Sequence, residues 1–140
     1  MNSTISILLV EDDQVDVMTI KRAFSDIHIT NPVNVCENGV KALEYLQNPE
    51  NEIPGIILLD LNMPKMNGIE FLQEINKDSR LKLIPVVVLT TSKEEQDKIE
   101  TYKLGVAGYM IKPVDYLQFV EIIRTIHLYW TICELPNSDN

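Results

Sequence analysis

Cysteine is scarce in this chain. Only Cys36 and Cys133 occur, far apart and without clustered histidines, so neither a disulfide framework nor a zinc site is indicated and reduced thiols are expected. Basic residues are also few: 12 lysines and arginines against 21 acids leave a net charge of −9. Such a balance repels nucleic-acid phosphate and anionic lipid, which argues against partners of either kind. Long apolar runs are missing as well. The most apolar stretch, Leu117 to Cys133, is interrupted by Glu121, Arg124 and His127 and is a poor membrane span. Met1-Asn2-Ser3-Thr4 carries no basic segment, and the apolar run behind it stops at Glu11-Asp12-Asp13, so no signal peptide is read and a cytoplasmic location is expected.

What is present fits one globular domain: 140 residues, 45% hydrophobic and 24% charged. Five β-rich segments recur, at Ile5–Val10, Val33–Cys36, Gly55–Asp60, Pro85–Thr90 and Ala107–Ile111. Most are nearly continuous apolar runs, as expected of strands covered on both faces. Helical periodicity separates them: Val17, Ile20, Phe24 and Ile27, then Val40, Leu43 and Leu46, then Ile69, Leu72 and Ile75. A less apolar fourth helix spans about Glu94 to Leu104, and a fifth runs from Asp115. Five β-α units in succession predict an α/β fold, a doubly wound parallel sheet with right-handed crossovers. Asn38-Gly39 precedes the second helix, and Gly105 stands where a C-cap belongs.

Ligands of such sheets bind beyond the carboxyl ends of the strands. There the chain places Glu11-Asp12-Asp13, Asp60, Thr90 and Lys112-Pro113. Carboxylates gathered together raise one another's pKa unless a cation offsets them, and hard oxygen ligands select Mg²⁺. A lysine and a hydroxyl opposite complete a phosphoryl-transfer site in outline. Taken singly, each residue has a plain structural use: Asp13 or Asp16 as a helix cap, Lys112 as a solvated lysine, Thr90 as a strand-end hydroxyl. Their joint placement at successive strand ends favours function.

Ile7-Leu8-Leu9-Val10-Glu11-Asp12-Asp13, Leu58-Leu59-Asp60-Leu61-Asn62-Met63-Pro64, Gly68, Pro85-Val86-Val87-Val88-Leu89-Thr90 and Tyr109-Met110-Ile111-Lys112-Pro113 together resemble the receiver domain of two-component response regulators. That resemblance implies a five-stranded flavodoxin-like (βα)5 sheet of order 2-1-3-4-5. It implies that Asp60 is the phosphoacceptor for a sensor histidine kinase. Mg²⁺ would be held by Glu11, Asp12, Asp60 and the Asn62 carbonyl, with Lys112 on a phosphoryl oxygen and Thr90 and Tyr109 as the switch pair. A cis Lys112–Pro113 bond is a further family trait, and Asn62 and Ser92 occupy positions that tune hydrolysis of the aspartyl phosphate. The protein would be a phosphoacceptor rather than a turnover enzyme. A haloacid-dehalogenase-like phosphatase also uses a strand-end aspartate, but it wants an acid where Asn62 stands. A flavin carrier needs a phosphate-cradling loop where three acids follow the first strand. An interaction module that is never phosphorylated remains as a third alternative.

Residues 1–136 are expected to form the receiver with an extended last helix, and 137–140 a polar tail, with no room for an output module. The signal would then pass to a downstream protein target or a phosphotransfer protein. The segment Phe119 to Leu135 is similar to that of stand-alone regulators paired with bacterial phytochromes and hybrid kinases, which implies a homodimer through the fourth helix, fifth strand and fifth helix. Tyr129 and Trp130 are the expected anchors, with burial of Trp130 against the sheet as the competing expectation. His28 and His127 are expected to be surface or partly buried imidazoles.

Overall fold

The computed structural model describes residues 5–132. Its elements follow the order β1 (Ile7–Val10), α1 (Gln14–Asp26), β2 (Val33–Cys36), α2 (Gly39–Gln47), β3 (Ile56–Leu59), α3 (Gly68–Ile75), β4 (Val86–Thr90), α4 (Glu95–Lys103), β5 (Gly108–Ile111) and α5 (Tyr116–Ile132). All pairings are parallel and the sheet order is β2-β1-β3-β4-β5. β1, β3 and β4 are buried along their whole length. The edge strands β2 and β5 are only partly covered.

Alternation along the central strands divides the interior in two. Leu8, Val10, Ile57, Leu59, Val86 and Val88 face α2 and α3, where Ala42, Leu46, Phe71, Leu72 and Ile75 meet them. Ile7, Leu9, Ile56, Leu58, Val87 and Leu89 face α1 and α5, against Val17, Ile20, Phe24, Phe119, Ile123 and Trp130. The expected face of α2 is rotated: Ala42 and Leu46 are buried, whereas Val40 is exposed. α4 is the least anchored helix, with Thr101 as its single buried residue, a first turn carrying Glu95 and Asp97, and Lys103 in the last. Charges matched to the helix dipole support it in place of an apolar face. Gly105, at φ +87, ends it in a conformation that side chains resist.

Two expectations need correction. Trp130 is 3% exposed, packed in the core of the α1–α5 side, so it cannot serve as a surface anchor. Its spacing continues the buried stripe Phe119, Ile123 and Ile126, which carries it onto the sheet. Tyr129, the neighbouring residue, is 54% exposed. Second, no described peptide bond is cis, so Lys112–Pro113 is trans. The two isomers of an X–Pro bond differ by only about 0.5–1 kcal/mol, too little for a sequence motif to decide alone. The expected tail 137–140 and Cys133 lie outside the described residues. Among the described residues, no helix is long and apolar enough to cross a membrane.

Lys65 holds φ 66 in the loop after β3, where the Met66 N–H donates to the Pro64 carbonyl at 2.7 Å. The left-handed region costs an L-residue about 1–2 kcal/mol, and glycine gives back about half of any relief through its freer unfolded chain. Lys65→Gly is therefore expected to stabilise the fold by about 0.5–1 kcal/mol. A urea midpoint that stays put or falls would show that the turn is not strained.

Candidate functional site

Strand register builds the site. Val10 pairs with Leu59 and Leu59 with Val88, so the residues that follow β1 and β3 emerge side by side at the same sheet edge. The Asp60 N–H donates to the Val10 carbonyl at 3.0 Å, and the Lys112 N–H to the Thr90 carbonyl at 2.8 Å, extending the ladder past the strands. Gly68 closes the loop under Asp60. A Cβ there would lie 2.7 Å from the Asp60 carbonyl oxygen and 2.9 Å from Leu61 Cα, so only glycine admits this approach.

Glu11, Asp12 and Asp60 each offer a carboxylate oxygen, and these lie within 4.8 Å of one another. Glu11 and Asp60 are buried, whereas Asp12 is exposed at the mouth. The Lys112 ammonium enters from β5, its Nζ 2.5 Å from Glu11 Oε1, 2.8 Å from Asp16 Oδ2 and 3.9 Å from Asp60 Oδ1. One lysine cannot neutralise three clustered carboxylates. Oxygen donors with surplus negative charge fit a hard divalent cation, so the donor set suits the expected ion.

Burial drives the Glu11 carboxyl up to about 7, with Lys112 opposing it through a hydrogen bond and its charge and Asp60 adding repulsion. For Lys112, burial acts downwards, but the bonds to Asp16 and Glu11 prevail and hold the ammonium above its ordinary value. A buried carboxyl that keeps its proton to about 7 when the unfolded chain releases it near 4.5 gives the folded state more bound protons in that window. Without divalent ions, stability should therefore fall as pH rises through it, by an amount on the order of 2–3 kcal/mol. Urea unfolding in a chelator across pH 4.5–7 checks this. Glu11→Gln should flatten the slope, and an unchanged slope would assign it elsewhere.

Thr90 is fully buried, and its Oγ1 accepts the Ser92 N–H at 3.3 Å. The Tyr109 hydroxyl donates to the Ser92 carbonyl at 3.0 Å, and Ser92 Oγ donates to Asp97 Oδ2 of α4 at 2.6 Å. Ser92 thus links a strand-end hydroxyl, a β5 tyrosine and the first turn of α4. Asp13 caps α1 by accepting from the Val15 and Asp16 N–H groups, as a structural use of that acid requires. Asn62 is exposed, immediately beyond the buried Leu61. Tyr129 and Trp130 lie on α5 and take no part here; Trp130 packs at Gly55, the opposite end of β3. The contact missed by sequence reasoning is Asp16 with Lys112, whose only signal is an acid one helical turn beyond Asp12.

Residues 7–124 match the response regulator receiver domain as a family. The probable methanogenesis regulatory protein FilR2 of Methanothrix harundinacea is 39% identical over 127 residues, covering 89% of this chain and 82% of that protein. Response regulator Rcp1 of Synechocystis is 38% identical over 128 residues, covering 89% and 87%. The crystal structure of its Mn²⁺-bound form superposes with a TM-score of 0.86 at 36% identity, over 94% of this chain and 99% of that one. The phosphorylated cyanobacterial phytochrome response regulator RcpA gives 0.87 at 37% identity, over 94% and 98%.

Proposed function

The chain belongs to the response regulator receiver domain family, a signalling domain, and from that premise we propose that it accepts a phosphoryl group from a sensor histidine kinase onto Asp60 in a Mg²⁺-dependent step. One observation carries the proposal: buried Asp60 has the Lys112 ammonium at 3.9 Å and the carboxylates of Glu11 and Asp12 within 4.8 Å. A carboxylate oxygen of Asp60 attacks phosphorus, the bond from phosphorus to the kinase imidazole breaks, and its electron pair returns to the ring nitrogen. An aspartyl phosphate remains. Glu11, Asp12, Asp60 and the Asn62 carbonyl are the groups that would hold the cation, which would supply charge neutralisation for the transferring phosphoryl oxygens. Lys112 contributes a further positive charge, and Thr90 a hydroxyl donor.

A phosphoryl oxygen then accepts from the Thr90 hydroxyl, and turning Oγ1 towards it disturbs the bond that Oγ1 accepts from the Ser92 N–H. Because Tyr109 and Asp97 hold the same residue, a change at Thr90 reaches both the β5 tyrosine and weakly anchored α4. The kinase upstream would be phytochrome-like or hybrid, a reading supported by the likeness to a phytochrome response regulator, and the signal would pass downstream to a protein target or phosphotransfer protein. A homodimer through the α4–β5–α5 face is supported by exposed Ile99, Tyr102, Leu128 and Tyr129. A single-chain mass at high concentration, with and without a phosphoryl mimic, would remove the dimer.

The function is tested by incubating the chain with acetyl phosphate in Mg²⁺ or in a chelator. An acid-stable, base-labile mass increase that needs the ion is expected. Failure to label would sink the phosphoacceptor role, and labelling in chelator would sink the role given to Glu11 and Asp12.

A further inference from the structure

We propose that Asp16 is a positioning residue for Lys112: with Glu11 it occupies two of the three N–H donors of the ammonium and leaves the third directed to the reacting side of Asp60. This rests on Asp60 being the phosphoacceptor. A lysine ammonium has three donors and no acceptor, on a stem with many rotamers. Lys112 reaches the site from β5 with its side chain 6% exposed, and its Nζ bonds Glu11 Oε1 and Asp16 Oδ2 at hydrogen-bond distance. Asp60 Oδ1, at 3.9 Å, is too far for a hydrogen bond but is the remaining acceptor nearby. Two acids on different elements, β1's end and α1's first turn, thus pull the ammonium from two directions. It stands beside the nucleophile without collapsing onto it.

Asp16 is free to do this because it is not needed at the helix terminus. The α1 cap is Asp13, which accepts from both the Val15 and Asp16 N–H groups at 2.8 and 3.2 Å. The Asp16 carboxylate, 37% exposed, turns to the pocket mouth and bridges 96 positions of sequence to Lys112. Without it the released donor can turn to the Asp60 carboxylate, 3.9 Å away. A lysine bonded to the attacking oxygen blunts that oxygen and no longer waits for the phosphoryl group. The side chains that pack α1, Val17, Ile20, Ala23 and Phe24, are untouched by a change at Asp16, so the fold survives the substitution.

The test has two readouts. In ¹H–¹⁵N spectra of the lysine ammonium groups, the unphosphorylated wild type should show a protected Lys112 signal, absent in Lys112→Met and lost to solvent exchange in Asp16→Ala. With acetyl phosphate and saturating Mg²⁺, Asp16→Ala should label about tenfold more slowly, the scale seen when a group that orients a site residue is removed. Asp16→Asn, which keeps an acceptor oxygen, should fall between. In a Lys112→Met background, Asp16→Ala should change the labelling rate no further. An unchanged ammonium signal in Asp16→Ala overturns the proposal, as does a rate loss of the same size in the Lys112→Met background. Should the wild type fail to label, the phosphoacceptor reading falls, and the ammonium spectra still decide whether Asp16 and Glu11 hold Lys112.

Discussion

Asp60→Asn should reduce labelling by acetyl phosphate to background while leaving the domain folded. The amide has the shape of the carboxyl but carries no anionic oxygen, so the attack on phosphorus loses its nucleophile. No other acid can stand in. Asp12 is exposed at the mouth, and the Glu11 carboxylate is committed to the Lys112 ammonium and, with the cation bound, would be committed to that ion as well. Local structure should persist, because the loop is held by backbone bonds: the Asp60 N–H to Val10 and the Gly68 N–H to Leu61, each at 3.0 Å. The other two carboxylates outnumber the Lys112 ammonium around Asp60, so losing the Asp60 charge should leave stability unchanged or raise it by up to about 1 kcal/mol. Intact-mass measurement and a urea melt check both halves. Labelling that persists in the variant would move the phosphoacceptor to another residue.

The residues that make this prediction possible were legible because they sit at strand ends. Apolar runs such as Ile56-Ile57-Leu58-Leu59 announce buried parallel strands, and once the sheet is parallel the acids after β1 and β3 share an edge. The edge strand β2 carries a weaker apolar signal, Val-Asn-Val-Cys with Val35 exposed, because only one flank is covered, yet its bounds are those that the sequence predicts. The phase of α2 escaped, since Ala42, small but fully buried, faces the sheet and bulky Val40 does not. Apolar periodicity weights size, whereas close packing of a helix on a sheet selects fit. At the site, the roles of Asp13 and Asp16 could not be divided by sequence. Both are acids near a helix start, and only the chain's return at β5 reveals that one caps and the other meets Lys112. The isomer at Lys112–Pro113 was equally beyond reach, because it depends on tertiary context and not on the dipeptide.

Trp130→Ala should cost about 3–5 kcal/mol, the usual loss for truncating a large buried aromatic, and so a substantial part of the ~5–15 kcal/mol that holds a domain together. The indole is 3% exposed and lines a small apolar cavity with Ile7, Phe24, Ile56, Leu58, Ile123 and Ile126. His127 stands edge-on to it, with ring centroids 6.2 Å apart. On its other side Gly55 leaves no slack: a Cβ there would lie 3.1 Å from Trp130 Cζ2. Deleting the ring opens a void between α5 and the sheet that rigid central strands cannot close. Among the described residues the indole Nε1 has no hydrogen-bond partner, so Trp130→Phe forfeits no bond there and should cost far less, about 1 kcal/mol. Chemical unfolding followed by circular dichroism measures both, since Trp130 is the chain's only tryptophan and its fluorescence is lost with it. An interface anchor would behave in the opposite way, leaving the monomer's stability intact and changing only its association. Because Trp130 lies at the Gly55 end of β3 and Asp60 at the other, the folded fraction of Trp130→Ala should still label at the wild-type rate. A slower rate in that fraction would mean that packing beneath α5 reaches the carboxylate end of the sheet.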